Sequence, residues 1–496
     1  MDGTLNKPEI TTVDTAIVLA SCGVFDLAAP GPRTSQVLAL TRVGGLTLFQ
    51  RTILTLQRGG ISQIFALVGE EERMLRRLIQ ADDRVRAAVR WLPVREFPPA
   101  DPKTWEVLAG EVKGSCLILG CHMIFTPSLI ELLREQGQRG QAVVVAGRPG
   151  DEGWAANPGI LMRAASLNHH EVSGVTSRVV FHDLARMAET HYGQDVDCVP
   201  AGDMVVLPAR LLGVSGSWKT PETGPIRLAL EQAAAEGIVQ ILSAGGHGYV
   251  DARGENGPER AQHLLFQSLQ TVKGGFDGWV DRYVNRKLSA LLTRGFIWLG
   301  LSPNVVTILS MIVGLLGAWM FAAGSYQLGI LGALLFQLSV IIDCCDGEVA
   351  RLTFAESKFG QELDLIADNF VHMAIFAGIA WGSYNMGPWQ GSSIPLLLGV
   401  LAIMGNGVSF WLVNQVRYLK ARPLKWSKLP SCHRERLERI LHRLANRDFS
   451  IVVILCAGLG ILPWFLALSA VGSWVFAVTI GWLLRRSLRL ASSSVV

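Results

Sequence analysis

The feature that most constrains the fold is a series of six apolar segments in the C-terminal part of the chain. They lie at approximately residues 303–323, 327–346, 362–383, 393–416, 448–463 and 465–485. A helix of about 20 predominantly apolar residues crosses a bilayer, because every backbone polar group needs a partner inside lipid. Only 17% of the chain is charged, and the charges concentrate outside these segments. The pattern predicts an all-α, six-helix transmembrane domain after a charged, soluble domain.

The charges between the segments predict the orientation of the helices. The connections "FAAGSYQL" and "YNMGPWQGSS" carry no charge, whereas the alternate connections are rich in Lys and Arg. Cytoplasmic loops of membrane proteins carry such an excess of cations. We therefore expect a multi-pass protein of the inner (cytoplasmic) membrane, with both termini and the acidic stretch described next on the cytoplasmic side.

The acidic stretch "DCCDGEVARLTFAESKFGQELDLIAD" runs from Asp343 to Asp368, between the second and third apolar segments. Asp343 and Asp346 are three residues apart, and Asp364 and Asp368 are four apart, so each pair shares one face of a helix. We expect a long connection, with Gly347 and Gly360 near its ends, to let the two helices run antiparallel. The four carboxylates would then converge, and oxygen-only ligands suit Mg²⁺ or Mn²⁺, with two metal ions predicted.

Other interpretations of the acidic residues remain open at this point. The aspartates could pair only with Arg351 and other cations, or belong to an ion site of a non-catalytic membrane protein. Cys344 and Cys345 are interpreted as small packing residues, because thiolates suit softer metals. His372 shares the face of Asp368 and could tune or contact the site, although a packed core histidine is the favoured interpretation.

The pattern D-x2-D-G-x2-A-R-x8-G-x3-D-x3-D resembles the signature of the CDP-alcohol phosphotransferases, and this sequence fills every fixed position. "LSPNVVTILS", at the start of the first apolar segment, is also similar to the family. The resemblance covers residues 275–490 and implies transfer of a substituted phosphate from a CDP-alcohol to a hydroxyl acceptor, with release of CMP. A phosphatidyltransferase that uses CDP-diacylglycerol is the alternative within the family.

The resemblance also implies roles for the motif residues. Asp343, Asp346 and Asp364 are expected to bind metal, and Asp368 is expected to take the proton of the acceptor and to touch the metal as well. The nucleotide-binding residues that the resemblance implies are Gly347, Ala350, Arg351 and Gly360. Separately, the cationic block from Arg417 to Arg447 is interpreted either as a loop facing anionic lipid or as an acceptor-phosphate site, with Arg417, Lys420 and Arg422 as its candidate residues.

The N-terminal half alternates strand and helix patterns, which predicts an α/β fold with a mostly parallel, Rossmann-like sheet. It resembles the nucleotidyltransferases, most closely in "VGGLTLFQRTILTLQRGGISQIFALVG". The sequence departs from that family at its chemistry. Ser35 and Gln36 stand where Pro and Lys are expected, and Cys121 stands where a metal-binding Asp is expected. Only Asp251 lies near the place of the second metal Asp, so this domain is predicted to be inactive or to work with substituted residues.

The two halves together resemble the bifunctional proteins that join inositol-1-phosphate cytidylyltransferase to di-myo-inositol phosphate phosphate synthase. We predict a nucleotidyltransferase-like domain over 1–272, a cationic amphipathic segment over 273–302 and the transmembrane domain over 303–496. The expected partners are a CDP-alcohol donor, a hydroxyl acceptor and membrane lipids, without nucleic acid. A homodimer is left open.

Overall fold

The chain folds into two compact units that divide between Gln270 and Thr271. The computed structural model describes residues 13–20, 38–137, 140–147, 199–213, 225–243, 248–253, 256–272, 285–386, 389–420 and 449–493.

The N-terminal unit is built on a seven-stranded sheet in the order β10-β8-β9-β6-β1-β4-β5. These strands are β1 (Thr15–Leu19), β4 (Gln63–Val68), β5 (Ala88–Pro93), β6 (Ser115–Gly120), β8 (Ala142–Gly147), β9 (Val199–Pro208) and β10 (Val239–Ser243). All neighbouring strands are parallel except β9, which runs antiparallel to β6 and β8. The predicted α/β class with a mostly parallel sheet is confirmed.

Two short ribbons and seven helices complete the described part of this unit. The ribbons pair β2 (Arg42–Val43) with β3 (Leu46–Thr47) and β7 (Met123–Phe125) with β11 (Tyr249–Asp251). The helices are α1 (Leu48–Arg58), α2 (Glu72–Gln80), α3 (Pro102–Glu111), α4 (Pro127–Gly137), α5 (Ala209–Leu212), α6 (Pro225–Ala235) and α7 (Gly257–Val272).

Strand β1 shows why the central strands are apolar without alternation. Its five residues, TAIVL, are all buried. Ala16 and Val18 belong to the core cluster that contains residues of α1, whereas Ile17 and Leu19 belong to the cluster that contains residues of α3. Because the sheet has a packed core on each face, successive side chains both need to be apolar.

All the secondary structure in the described residues of the C-terminal unit is helical. Its helices are α8 (Arg286–Trp298), α9 (Pro303–Ala322), α10 (Tyr326–Thr353), α11 (Lys358–Asn385), α12 (Ile394–Lys420), α13 (Phe449–Gly458) and α14 (Leu462–Ser493). Five of them, α9 to α12 and α14, are long and apolar enough to cross a membrane. The unit is therefore that of a multi-pass membrane protein.

The sixth predicted span, 448–463, stays a prediction. Its described part contains the ten-residue helix α13, and α14 begins at Leu462. At 1.5 Å per residue, a helix of that length covers about 15 Å, which is half of a hydrocarbon core.

The expected long connection between the second and third spans was wrong. Helix α10 continues to Thr353 and α11 begins at Lys358, so the acidic motif is almost entirely helical. Phe354 ends α10 in the left-handed region with φ 55°, and the Ser357 side chain caps α11 by accepting from the Gly360 N–H at 2.9 Å. The polar residues after Asp346 include no proline, so the helix extends beyond the apolar segment.

Helix α11 packs directly against the backbone of α9. A Cβ atom at Gly378 would clash with the carbonyl oxygen of Ala318, and one at Gly382 would clash with that of Phe321. Small residues permit this close approach, which drives association of helices in lipid. The contact fixes α11, which carries Asp364 and Asp368, against the first membrane helix.

Candidate active site

Three carboxylates of the acidic motif meet between α10 and α11. Asp343 and Asp346 lie on α10 and Asp364 lies on α11, and one ligand oxygen from each can be chosen so that all three are within 4.8 Å of one another. Asp343 is 5% exposed and Asp346 is 6% exposed. Like charges this close and this buried repel one another, and a bound cation would offset that repulsion. An oxygen-only donor set of this size fits a hard divalent ion such as Mg²⁺ or Mn²⁺.

Asp368 follows Asp364 by one helical turn and is placed on the wall of an adjoining cavity. The cavity has a volume of about 640 Å³, and Asp343, Asp364 and Asp368 all line it. Asp368 is not a member of the three-carboxylate group. This placement sets it beside the group, where a substrate in the cavity would meet it.

Thr307 is a site residue that the sequence analysis missed. It lies on α9, is 2% exposed, and its Oγ1 donates to Asp346 Oδ2 at 2.5 Å. A hydrogen bond of this kind orients a metal-ligating carboxylate. The hydroxyl of Thr307 between the apolar residues of "VVTIL" was the available signal, but the sequence did not identify its partner.

Glu348 is a second residue that the sequence analysis left without a role. It lies within the motif on α10 and is 9% exposed. Its two carboxylate oxygens accept from two residues of α8, Ser289 Oγ at 2.8 Å and Thr293 Oγ1 at 2.7 Å. Gln337 Nε2 of α10 also donates to Asn285 Oδ1 at 2.8 Å. These bonds attach α8 to the helix that carries the first two aspartates.

The four predicted nucleotide-binding residues lie in α10 and at the start of α11. A Cβ atom at Gly347 would lie 3.2 Å from Arg351 Nη1, and one at Gly360 would lie 3.0 Å from Asn304 Oδ1. Arg351 interacts electrostatically with Glu348, Glu356 and Asp346. Ala350 is partly buried on the same helix. The space at both glycines is thus limited by neighbouring polar side chains, and the nucleotide role of all four residues stays a prediction.

The candidate acceptor cations are only partly described. Arg417 lies on α12 and lines the same cavity as Asp368. Lys420 is the last residue of α12, and Arg422 lies outside the described residues.

Neutral polar and aromatic side chains also line the cavity. Amide, imidazole and hydroxyl groups of Asn369, His372, Asn406 and Ser409 line it, together with aromatic residues. His372 contacts the Phe336 ring edge-on, with ring centroids 6.0 Å apart. The histidine predicted to be packed therefore both packs and lines the cavity. Cys345 is buried, and its Sγ lies 3.3 Å from the Ile341 carbonyl oxygen, as expected of a packing residue.

In the N-terminal unit, the candidate metal ligand Asp251 is hydrogen-bonded to a neighbouring residue of the same unit. Asp251 accepts from the Arg253 backbone N–H at 2.8 Å and from Arg253 Nε at 2.8 Å. Cys121, which stands in the place of the other expected carboxylate, is 1% exposed, and its Sγ donates to the Ala20 carbonyl oxygen at 3.2 Å. Ser35 and Gln36 lie outside the described residues.

Burial also shifts titrating groups in this unit. The pKa of the Arg51 guanidinium is lowered to about 9 by burial and by the nearby charge of Arg84. Burial raises the pKa of the Cys116 thiol to about 12, so this thiol stays protonated near neutral pH. For Asp82, burial acts to raise the pKa, but hydrogen bonds and charge from Arg84 outweigh it, and the net pKa is lowered.

Residues 300–433 match the family model of the CDP-alcohol phosphatidyltransferases, so the chain carries a domain of this family in its C-terminal part. The chain is 27% identical over 430 residues to the bifunctional IPC transferase and DIPP synthase of Rubrobacter xylanophilus, and the match covers 85% of both proteins. The predicted resemblance to the family and to the bifunctional type is thereby confirmed.

Two further relatives match over shorter lengths. The bifunctional IPC transferase and DIPP synthase of Thermococcus kodakarensis is 29% identical over 175 residues, which are 35% of this chain and 39% of that relative. Less than half of this relative is therefore matched. The phosphatidylinositol phosphate synthase of Mycobacterium tuberculosis is 29% identical over 206 residues, which are 40% of this chain and 83% of that relative.

Proposed function

We propose that the protein transfers a substituted phosphate group from a CDP-alcohol to a hydroxyl acceptor and releases CMP. The observation that carries the proposal is the meeting of Asp343, Asp346 and Asp364 beside a cavity lined by Asp368, within a CDP-alcohol phosphatidyltransferase domain. A buried site of this charge suits a reactant that arrives with a diphosphate and a divalent cation.

Each residue of the site would have a separate role in this reaction. Asp343, Asp346 and Asp364 would hold Mg²⁺ or Mn²⁺, and Thr307 would orient Asp346. When bound, the metal supplies positive charge that neutralises the donor diphosphate and the departing CMP. Asp368 would accept the proton of the acceptor hydroxyl. The acceptor oxygen then bonds to the phosphorus that carries the donor alcohol, and the bond from that phosphorus to the CMP oxygen breaks.

An inositol phosphate is the acceptor that the comparisons favour. The M. tuberculosis relative is named as a phosphatidylinositol phosphate synthase. Arg417 lines the cavity and could hold the phosphate of such an acceptor, with Lys420 and Arg422 further along the chain. CDP-inositol is the first candidate donor, because the bifunctional type matches most of the chain. CDP-diacylglycerol is the second, since the same cavity contains a largely apolar region.

Release of CMP by the purified, detergent-solubilised protein tests this function. CDP-inositol and CDP-diacylglycerol would each be combined with myo-inositol 1-phosphate, glycerol 3-phosphate or serine, with Mg²⁺ or Mn²⁺. Asp368→Asn should lower the rate about 10²- to 10⁴-fold, which is the usual contribution of a general base. Asp83→Asn, a matched change at an exposed residue, should leave the rate unchanged. Wild-type protein that binds Mn²⁺ but neither CMP nor CDP would favour a non-catalytic ion site.

For the N-terminal unit, we propose a nucleotidyltransferase-like domain that no longer transfers nucleotides. The ion pair between Asp251 and Arg253 supports this, because a metal at Asp251 would have to displace the guanidinium. With CTP, myo-inositol 1-phosphate and Mg²⁺, the full chain should release no diphosphate above the background without enzyme. Diphosphate release that Asp251→Asn abolishes would show instead that this unit is active.

The proposed location is the inner (cytoplasmic) membrane, with both termini and the aspartates on the cytoplasmic side. Arg351 and Lys358 near the aspartates, and the cationic residues after Arg417, support this orientation. Reporter fusions to each terminus should both report the cytoplasm, and a periplasmic signal from either one would overturn the orientation.

A further inference from the structure

Two asparagine side chains lie in membrane helices beside the predicted base. Asn369 on α11 directly follows Asp368, and Asn406 lies on α12, and both line the cavity. Both helices are apolar enough to span a membrane. Amides are costly in an apolar environment unless hydrogen-bonded, so polar residues within membrane helices commonly mark a functional site.

The hydrogen bonds that these two amides make within the protein leave a donor and an acceptor group available for a ligand. Asn369 Nδ2 donates to the Leu365 carbonyl oxygen at 2.8 Å, and Asn406 Nδ2 donates to Asn369 Oδ1 at 3.4 Å. Within the described part of the chain, the Asn406 side chain makes this one long hydrogen bond, to Asn369. An asparagine amide has two N–H donors and one acceptor oxygen. Asn406 can therefore offer a donor and an acceptor to a group in the cavity.

The chemistry of the pair selects the kind of ligand. A neutral hydroxyl both donates and accepts a hydrogen bond, which matches an amide. A carboxylate would bind an ammonium group more strongly than an amide does, and apolar residues alone would suffice to bind an alkyl chain. The pair is also close to the reacting end of the acceptor, since Asn369 adjoins Asp368, the residue proposed to take the proton of the acceptor.

We infer that Asn406, positioned by Asn369, binds a non-reacting hydroxyl of the acceptor and so selects a polyol. This inference rests on the proposed function and adds a specificity-determining residue to it. A site that hydrogen-bonds a substrate hydroxyl discriminates strongly against an analogue that lacks it, because its own polar groups are then left without a partner.

The test is the effect of Asn406→Leu on the KM for myo-inositol 1-phosphate in the CMP-release assay. Loss of a hydrogen bond to a neutral group should raise the acceptor KM about tenfold. The KM for the CDP-alcohol, the kcat and the binding of CMP should stay within about twofold of wild type, since the change does not touch the carboxylates. Asn414→Leu is the matched control on the same helix, because Asn414 is not among the residues that line the cavity.

Deoxy analogues of inositol 1-phosphate identify the hydroxyl directly. Wild-type protein should use at least one analogue about tenfold less well, and Asn406→Leu should use that analogue and the parent equally. If the leucine variant does not fold, Asn406→Ser replaces it in the same comparison, and CMP binding reports whether the site is intact.

The outcomes separate this inference from the proposed function. An active wild-type protein with an unchanged acceptor KM in the variant, or with the same preference among analogues, would overturn the role of Asn406 alone. A fall in kcat without a rise in acceptor KM would also overturn it. A wild-type protein that releases no CMP from any pair would overturn the proposed function itself.

Discussion

The attachment of α8 to the motif helix predicts a specific loss of stability in Thr293→Val. Valine keeps the shape of threonine but removes the hydroxyl that donates to Glu348 at 2.7 Å. Ser289 still donates to the other carboxylate oxygen, so one oxygen of a buried acidic group loses its partner. The change therefore removes the charge-assisted hydrogen bond to Glu348, together with a weaker contact to the Cys345 thiol, without opening a cavity.

The expected magnitude follows from the burial of Glu348, which is 9% exposed. A hydrogen bond to a charged group contributes about 1.5–3 kcal/mol, and removal of one partner of a buried group costs a similar amount. For a unit of this size, 1 kcal/mol corresponds to about 2–4 °C in melting temperature. Thr293→Val should therefore melt about 3–12 °C below wild type.

The assay is thermal unfolding of the full chain in detergent, followed by tryptophan fluorescence at a fixed scan rate. Thr293→Ser is the control, since it keeps the hydroxyl and should recover most of the difference. Equal melting temperatures for the valine and wild-type proteins would refute the reasoning. So would a serine variant as unstable as the valine variant, because the loss would then come from the methyl group.

Three further predictions test the remaining elements. Thr307→Val should weaken Mn²⁺ binding about 10- to 100-fold, measured by electron paramagnetic resonance of free Mn²⁺, and Thr307→Ser should not. Gly378→Val should lower the melting temperature by several degrees through a clash with the carbonyl backbone of α9, whereas Gly407→Val, which has open space around it, should not. The pKa of the Asp82 carboxyl is lowered in the folded state. Its bond with Arg84 therefore stabilises the protein fully at pH values above the unfolded pKa of about 3.9. This stabilisation is lost as the pH falls through the folded pKa. Asp82→Asn should therefore lower the melting temperature at pH 7, and this effect should shrink as the pH is lowered below about 3.9, as thermal scans across that range would show.

Five of the six predicted membrane spans correspond to helices long and apolar enough to cross a bilayer, because their apolar runs reach the required length. The ends of these helices could not be predicted. Helix α10 extends to Thr353, several residues past the predicted end of its span, because hydropathy marks where the apolar side chains stop and not where the backbone leaves the helical conformation. The residues from Gly347 to Thr353 mix charged, polar and apolar side chains, and they keep the helix.

The candidate site was also predictable only in part. The spacing of the aspartates within the motif predicted that four carboxylates converge. Asp343, Asp346 and Asp364 do lie together, whereas Asp368 lines the adjoining cavity and is not a member of that group. Their hydroxyl neighbours were not predictable, since Thr307 lies 39 residues from Asp346 and Ser289 lies 59 residues from Glu348. Such partners depend on how the helices pack, which no local pattern records.

Glu348 on α10 and the three aspartates on α10 and α11 differ in what surrounds their carboxylate oxygens. Glu348 directs both oxygens to neutral hydroxyls of α8, and binding a metal would require breaking at least one of those bonds. The aspartates instead bring oxygens within 4.8 Å of one another, an arrangement whose like-charge repulsion a bound cation would offset. Glu348→Gln should therefore lower stability more than it lowers Mn²⁺ affinity, whereas Asp343→Asn should do the reverse.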